Sequence, residues 1–163
     1  MADGWHQRYA GIERSEPKVR VVEMGPKIFT VRQANDCIPK LEENFKSLDD
    51  IRHRMKKLKG KMDVLEMLWG EEIHADSNPD HREFAHYIED MDGLKVQYEG
   101  VGKKLAELEV VLKSVEQGLI DFYGVVDSRL VFLCWKRGEA SIEHFHHLEE
   151  GFGGRQPIPS KSV

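Results

Sequence analysis

Apolar residues at Phe84, Tyr87, Met91, Leu94, Tyr98, Val101, Leu105, Leu108, Leu112, Val115 and Leu119 follow one another at alternating spacings of three and four, without a break. Such a run places every member on one stripe of a helix, and its seven-residue repeat, tighter than the natural turn, implies left-handed winding against a partner helix. The partner lies upstream. Leu41, Phe45, Leu48, Ile51, Met55, Leu58, Met62, Leu65 and Leu68 form a second stripe stepping by three or four.

The ends of both segments carry helix punctuation. Thr30 with Gln33 three residues later in "FTVRQAN" has the form of a capping box, in which hydroxyl and amide each satisfy the other's free backbone N–H. Pro39 falls about two turns further on, where it is expected to bend or restart the helix. Asn78-Pro79-Asp80 supplies a cap, a first-turn proline and a favourable acid for the second helix, and Gly118 stands near its end. Residues 31–69 and 79–118 thus read as two helices of roughly 60 Å each, joined by "GEEIHADSN" into an antiparallel two-helix coiled-coil hairpin. Two helices leave much of each stripe wet, so a homo-oligomer, a dimer in the simplest case, or the C-terminal segment is expected to cover it. Gly93, Gly100 and Gly102 weaken the second helix and suggest close packing or a bend.

Length and composition fit one soluble domain. The 163 residues are 33% charged and 40% hydrophobic with a formal net charge of -5, which gives no global attraction to nucleic acid or to a membrane surface. No apolar run of about 18 residues is present, and the start lacks a signal peptide's apolar centre, so a cytoplasmic protein is expected. Cys37 and Cys134 are far apart and lack CxxC spacing, which argues against a disulfide framework or a cysteine-based zinc site. Residues 1–26 read as a largely loose N-terminal extension with one alternating stretch, "KVRVVEM", suited to a short edge strand; 27–158 form the domain and 159–163 a tail.

The last third changes character. "YGVVDSRLVFLCWKRG" has two β-branched and aromatic runs around Asp127-Ser128-Arg129, the pattern of a β-hairpin, and "SIEHFHHL" is able to return as a third strand. The fold class is therefore mainly α with a small C-terminal β-hairpin or meander at the open end of the helices. If residues 141–148 are extended, His144, His146 and Leu148 share one face; if they are helical, Glu143 and His147 pair instead.

"FTVRQAN", "LWGEE", "GLIDF", "LCWKRGE" and "FHHLEEGFGGRQPI", in this order over residues 27–158, resemble the bacterial family catalogued as domain of unknown function 2203. The resemblance implies a helical pair followed by a small β element, and no established activity. Asp121, Trp135, Glu139, His146, Gly151, Phe152 and Arg155 match its pattern; Phe145 stands where tryptophan is usual and His147 where an acid is.

Asp121, Glu139 and His146 offer two carboxylates and an imidazole, a set able to hold a divalent transition metal such as zinc or iron with a position left open. Their spacing is no recognised ligand pattern, and each has a structural alternative: Asp121 capping a turn, Glu139 pairing with Arg155, His146 donating to a backbone carbonyl beneath Trp135. Trp135 and Arg155 are the candidate cofactor-binding residues at the rim, with Arg155 and Arg129 suited to an anion. His144 and His147 read as solvent-facing, and Cys134 as a small buried hydrophobe rather than a nucleophile. "RHRMKKLKGK" at 52–61 reads as one side of cross-hairpin salt bridges to Glu89, Asp90 and Asp92 rather than as a phosphate grip, so no nucleic-acid partner is expected. No phosphate loop, nucleophile elbow or other catalytic motif is present. The preferred function is binding or assembly with a small ligand or protein partner, no enzyme activity being implied; the alternative is a metal-binding protein or metalloenzyme built on Asp121, Glu139 and His146.

Overall fold

The structure, a computed structural model, describes residues 25–159, so the "KVRVVEM" strand and most of the N-terminal extension lie outside the described residues. The first helix, α1, spans Val31–Trp69, as its stripe requires. Its capping box is formed: Gln33 N–H donates to Thr30 Oγ1 at 3.1 Å and Thr30 N–H to Gln33 Oε1 at 3.0 Å. Pro39 does not restart the helix, which runs through it. The ring removes one intrahelical bond, while the fully buried Ala34 and Leu41 on either side hold the segment against the core.

The second helix, α2, is shorter than its stripe, covering only His81–Glu107, about 40 Å. Pro79 lies before it rather than in its first turn. Asn78 Oδ1 accepts from Asp80 N–H at 2.9 Å, and the Asp80 carboxylate is taken by the Trp69 indole N–H at 2.8 Å. At the other end Glu109 enters the left-handed region at φ 57 and the chain leaves as a strand. The apolar spacing through Leu112 and Val115 is helical in period, but the run Val110-Val111-Leu112 has the residue types that strands favour, and pairing with a neighbouring strand decides the outcome. Gly118 is accordingly a turn residue, at φ 63, and not a helix end.

The helices run antiparallel: Lys61 Nζ sits 5.1 Å over the Tyr87 ring and Arg54 Nη1 donates to Gln97 Oε1 at 3.5 Å. The expected cross-helix salt bridges do not form among the described residues. Arg54 pairs with Asp50 and Lys59 with Asp63 one turn away on α1, while Asp90 pairs with His86 and Asp92 with Lys95 on α2. Partners three or four residues apart on one helix are simply nearer. Nor do Gly93, Gly100 and Gly102 mark close packing, since a Cβ at any of them meets nothing within 4 Å.

Five antiparallel strands follow in sequence order as a meander: β1 Val111–Ser114, β2 Leu119–Val126, β3 Arg129–Lys136, β4 His144–His146 and β5 Gln156–Pro157. The β2–β3 turn is the two-residue Asp127-Ser128, at φ 48 and 63, whose twist matches that of the strands it joins. Residues 144–146 are extended, which settles the choice left by the sequence. Phe29 adds a parallel bridge beside Gly124, its N–H donating to Tyr123 O at 2.7 Å. A Cβ at Gly124 would stand 2.6 Å from Leu133 Cγ, so glycine is required there by contact.

One face of the sheet is the core. Ile120, Phe122, Val131, Leu133, Trp135 and Phe145 pack with Leu41, Phe45, Leu48 and Ile51 of α1 and with Leu105 of α2. Ring contacts tie the layers, Phe29 edge-on to Phe122 at 5.1 Å and Phe45 to Trp135 at 6.2 Å. Far from the sheet the helix pair is less covered, and Val64, Met67 and Leu68 are exposed. No helix among the described residues is long and apolar enough to cross a membrane.

Opposite responses are expected from two glycine substitutions. Gly118→Ala forces an unfavourable φ and sets a Cβ 2.5 Å from Arg137 Cβ, so stability falls by about 1–3 kcal/mol. Gly100→Ala, in open space on α2, raises it by up to about 1 kcal/mol. Denaturant unfolding of both variants checks the pair.

Candidate metal centre

The face of the sheet turned away from the helices carries a different chemistry. Alternation along β2 and β3 directs Ile120 and Phe122, Leu133 and Trp135 to the core, and Asp121 and Cys134 to the other side. The two are directly opposite partners in the β2–β3 ladder. Phe132 on this same face pairs with His146 of β4, which brings the imidazole diagonally beside them. The segment after β4, with its 3₁₀ turn at Phe152–Gly154, leads from His146 back to the sheet edge at β5. Asp121, Cys134 and His146 are each only 1% exposed, and their ligand atoms all lie within 4.8 Å of one another.

The hydrogen bonds of His146 fix its protonation pattern. Nδ1 is 2.9 Å from the backbone carbonyl of His147, and a carbonyl only accepts, so Nδ1 carries a hydrogen. Nε2 then faces Asp121 Oδ2 at 3.1 Å. Lone pair against lone pair at that distance, in a buried site, is repulsive unless a positive species is shared between them. A proton satisfies the pair, and so does a metal ion. At 3.1 Å the pair stands at hydrogen-bond length, as in the proton-sharing state; two N/O atoms bound to one tetrahedral zinc stand about 3.3–3.5 Å apart, and a sulfur ligand about 3.6 Å from either, so a shift of a few tenths of an ångström at this pair admits the ion. An imidazole whose far N–H is tied to a carbonyl is also the usual arrangement of a metal-ligating histidine.

The thiol of Cys134 is pushed up from its ordinary 9.0 to about 12, first by burial, then by the charge of Asp121 and a hydrogen bond to it, against the opposing pull of Arg155. It is therefore a protonated thiol beside Asp121 when no cation is present. Two positive side chains border the group. Lys113 Nζ of β1 is 3.8 Å from Asp121 Oδ2 and 5.1 Å over the Phe132 ring. Arg155, just before β5, lies close enough to Cys134 to act on it, and its guanidinium stacks 3.9 Å from the centre of the Phe152 ring.

Of the residues singled out in the sequence, Asp121 and His146 meet, and Glu139 stands apart from them. Its carboxylate accepts from Arg155 Nη1 at 2.8 Å and from Lys136 N–H at 2.8 Å, the structural alternative named for it. The place expected for Glu139 is taken by Cys134. Trp135 is not at a rim: it is fully buried on the core face, its indole N–H donating to Glu139 O at 2.9 Å. Arg155 is beside the group, whereas Arg129 is exposed at the start of β3. His144 shares the face with Cys134 and is half-buried rather than free in solvent. Cys134 and Lys113 are the residues that sequence reasoning missed.

A family model matches residues 27–158, that of an uncharacterized conserved protein, DUF2203. No curated protein matches the chain, and no solved structure does. The match takes in both helices and all five strands, with every residue of the group described above. The chain belongs to the DUF2203 family.

Proposed function

We propose that this domain binds a divalent transition metal through Asp121 Oδ, Cys134 Sγ and His146 Nε2. The observation that carries the reading is the convergence of these three ligand atoms within 4.8 Å of one another in a buried site, with the Nδ1 hydrogen of His146 already committed to a carbonyl. Carboxylate, thiolate and imidazole together suit zinc or another borderline-soft ion, and three protein ligands leave the fourth tetrahedral position open. The reading replaces Glu139 by Cys134 in the ligand set first suggested by sequence. Its rival at the same residues is a buried proton-sharing pair with a thiol donor and no metal.

A second reading, assembly through the helices, has its own support. The stripes on α1 and α2 step by three and four along an antiparallel seam, as in a coiled coil, and Val64, Met67, Leu68 and Val96 leave apolar surface on the pair. A homodimer covering that surface is expected to show twice the chain mass by light scattering at micromolar concentration, and Met67→Lys with Leu68→Lys to return it to a monomer.

For the metal reading, untagged protein is expected to carry close to one equivalent of zinc or iron, and added zinc to raise the melting temperature of stripped protein, because an ion that binds only the folded state stabilises it. His146→Ala abolishes that rise and Cys134→Ser lowers it; Glu139→Gln keeps it. Absence of the ion together with no thermal response to zinc, iron or cobalt contradicts the proposal.

The pH dependence separates the two states. Without metal the raised thiol pKa contributes stability that is complete below 9.0 and is lost as pH climbs toward about 12, since the unfolded chain releases that proton first. With zinc the thiol proton, and the proton shared by Asp121 and His146 where the pair holds one, must leave on binding, so apparent affinity rises at least about tenfold per pH unit between roughly pH 6 and 9 on this account. Calorimetric titration in buffers of different ionisation enthalpy counts the released protons, and Cys134→Ser lowers the count by the thiol's one.

A further inference from the structure

Two cations reach from the buried Asp121–Cys134–His146 group toward solvent, and they come from opposite edges of the sheet. Lys113 belongs to β1, at one end of the strand order, and its side chain is 42% exposed while its ammonium is 3.8 Å from the Asp121 carboxylate. Arg155 enters from the segment that leads into β5, at the other end, with a side chain 19% exposed. Lys113 neutralises a carboxylate that already has His146 and the Cys134 thiol as partners. Arg155 commits Nη1 to Glu139 and holds its guanidinium carbon 3.9 Å from the centre of the Phe152 ring, and a guanidinium has four further N–H groups to offer.

Charge adds a second argument, which rests on the metal reading. A divalent ion with one carboxylate, one thiolate and a neutral imidazole is neutral. Around it stand Lys113 and Arg155, and one acid, Glu139, already bound to Arg155. The surroundings are left with one positive charge, on the partly exposed Lys113, whose ammonium is 3.8 Å from the Asp121 carboxylate and attracts an anion to the site. A tetrahedral ion with three protein ligands has one position to fill. A monoanion entering there closes both deficits, and a guanidinium fork prefers a planar oxyanion to a spherical one.

We infer that the fourth position of the metal centre is the binding site for a small carboxylate, which ligates the ion through one oxygen and is held at the other by Arg155, with Lys113 completing the charge balance. The site would then be a receptor for a carboxylate metabolite or for a carboxylate side chain of a partner, and the bare ion its empty form.

The test uses the full chain loaded with cobalt(II) and acetate as the probe. The cobalt–thiolate charge-transfer band reports the ion on Cys134, and the visible ligand-field bands report the fourth position. Acetate is expected to shift the ligand-field bands saturably with the charge-transfer band retained. Arg155→Ala and Lys113→Ala each weaken the apparent acetate affinity about tenfold or more without loss of cobalt, and Lys113→Arg, which keeps the charge, restores most of it. Ligand-field bands indifferent to acetate, or variants that bind acetate as the parent does, overturn the carboxylate site and leave the metal reading standing. A response to phosphate or chloride and not to acetate overturns the assignment of ligand class. A charge-transfer band that never forms overturns the metal reading, and this inference with it.

Discussion

The register between β2 and β3 is the constraint on which the other features of this fold depend. The pairing is fixed at the Asp127-Ser128 turn, and from there each residue of one strand meets one residue of the other: Phe122 with Leu133, Asp121 with Cys134, Ile120 with Trp135. Because side chains alternate across a sheet, the same register places an apolar set on one face and a polar set on the other. A slip of one residue turns over the faces of the strand that moves, sending Asp121 into the helices if β2 slips or Trp135 into the polar group if β3 does. The dense packing of Trp135, Phe122 and Leu133 against Phe45 and its neighbours therefore does two things: it closes the core, and it holds the metal-binding candidates in place from behind.

The two faces are stabilised by different means. On the helix side, large apolar side chains are removed from water, and a fully buried ring of this kind contributes about 1.5–3 kcal/mol. The opposite face buries a carboxylate, an imidazole and a thiol, groups that weaken a fold unless each finds a partner. They do find partners, in one another, in the His147 carbonyl and in Lys113. Yet hydrophobic residues of similar size would fill the same space at least as stably, so the polar set is better explained by what it can hold than by what it adds to stability. Burial also shapes its chemistry, keeping Cys134 protonated at neutral pH.

Much of this was legible in the sequence, and the exceptions have physical causes. The start of α1 could be read from Thr30 and Gln33 because capping is a local interaction between near neighbours. The end of α2 could not, because the apolar spacing through Leu112 and Val115 satisfies a helix while the strand it becomes is decided by β2, which comes later in the chain. The candidate site was half legible. Asp121 and His146 carried chemistry in their residue types, but Cys134 was set aside as a buried apolar residue for want of a partner. A signal was available: Asp121 lies six residues before Asp127, and Cys134 six after Ser128, so a two-residue turn there makes them opposite neighbours. Lys113 had no comparable signal, since its strand was read as helix. Glu139 misled because a carboxylate looks the same in sequence whether it awaits a metal or, as here, an arginine.

The most direct measurement of the central claim is X-ray absorption at the metal edge of zinc-loaded protein. The account predicts one sulfur at about 2.3 Å and nitrogen or oxygen neighbours at about 2.0–2.2 Å, with the sulfur lost in Cys134→Ser. A shell of nitrogen and oxygen alone in the parent protein, or zinc that does not remain bound at one per chain, would contradict it, and Asp121 and His146 would then be a buried pair sharing a proton.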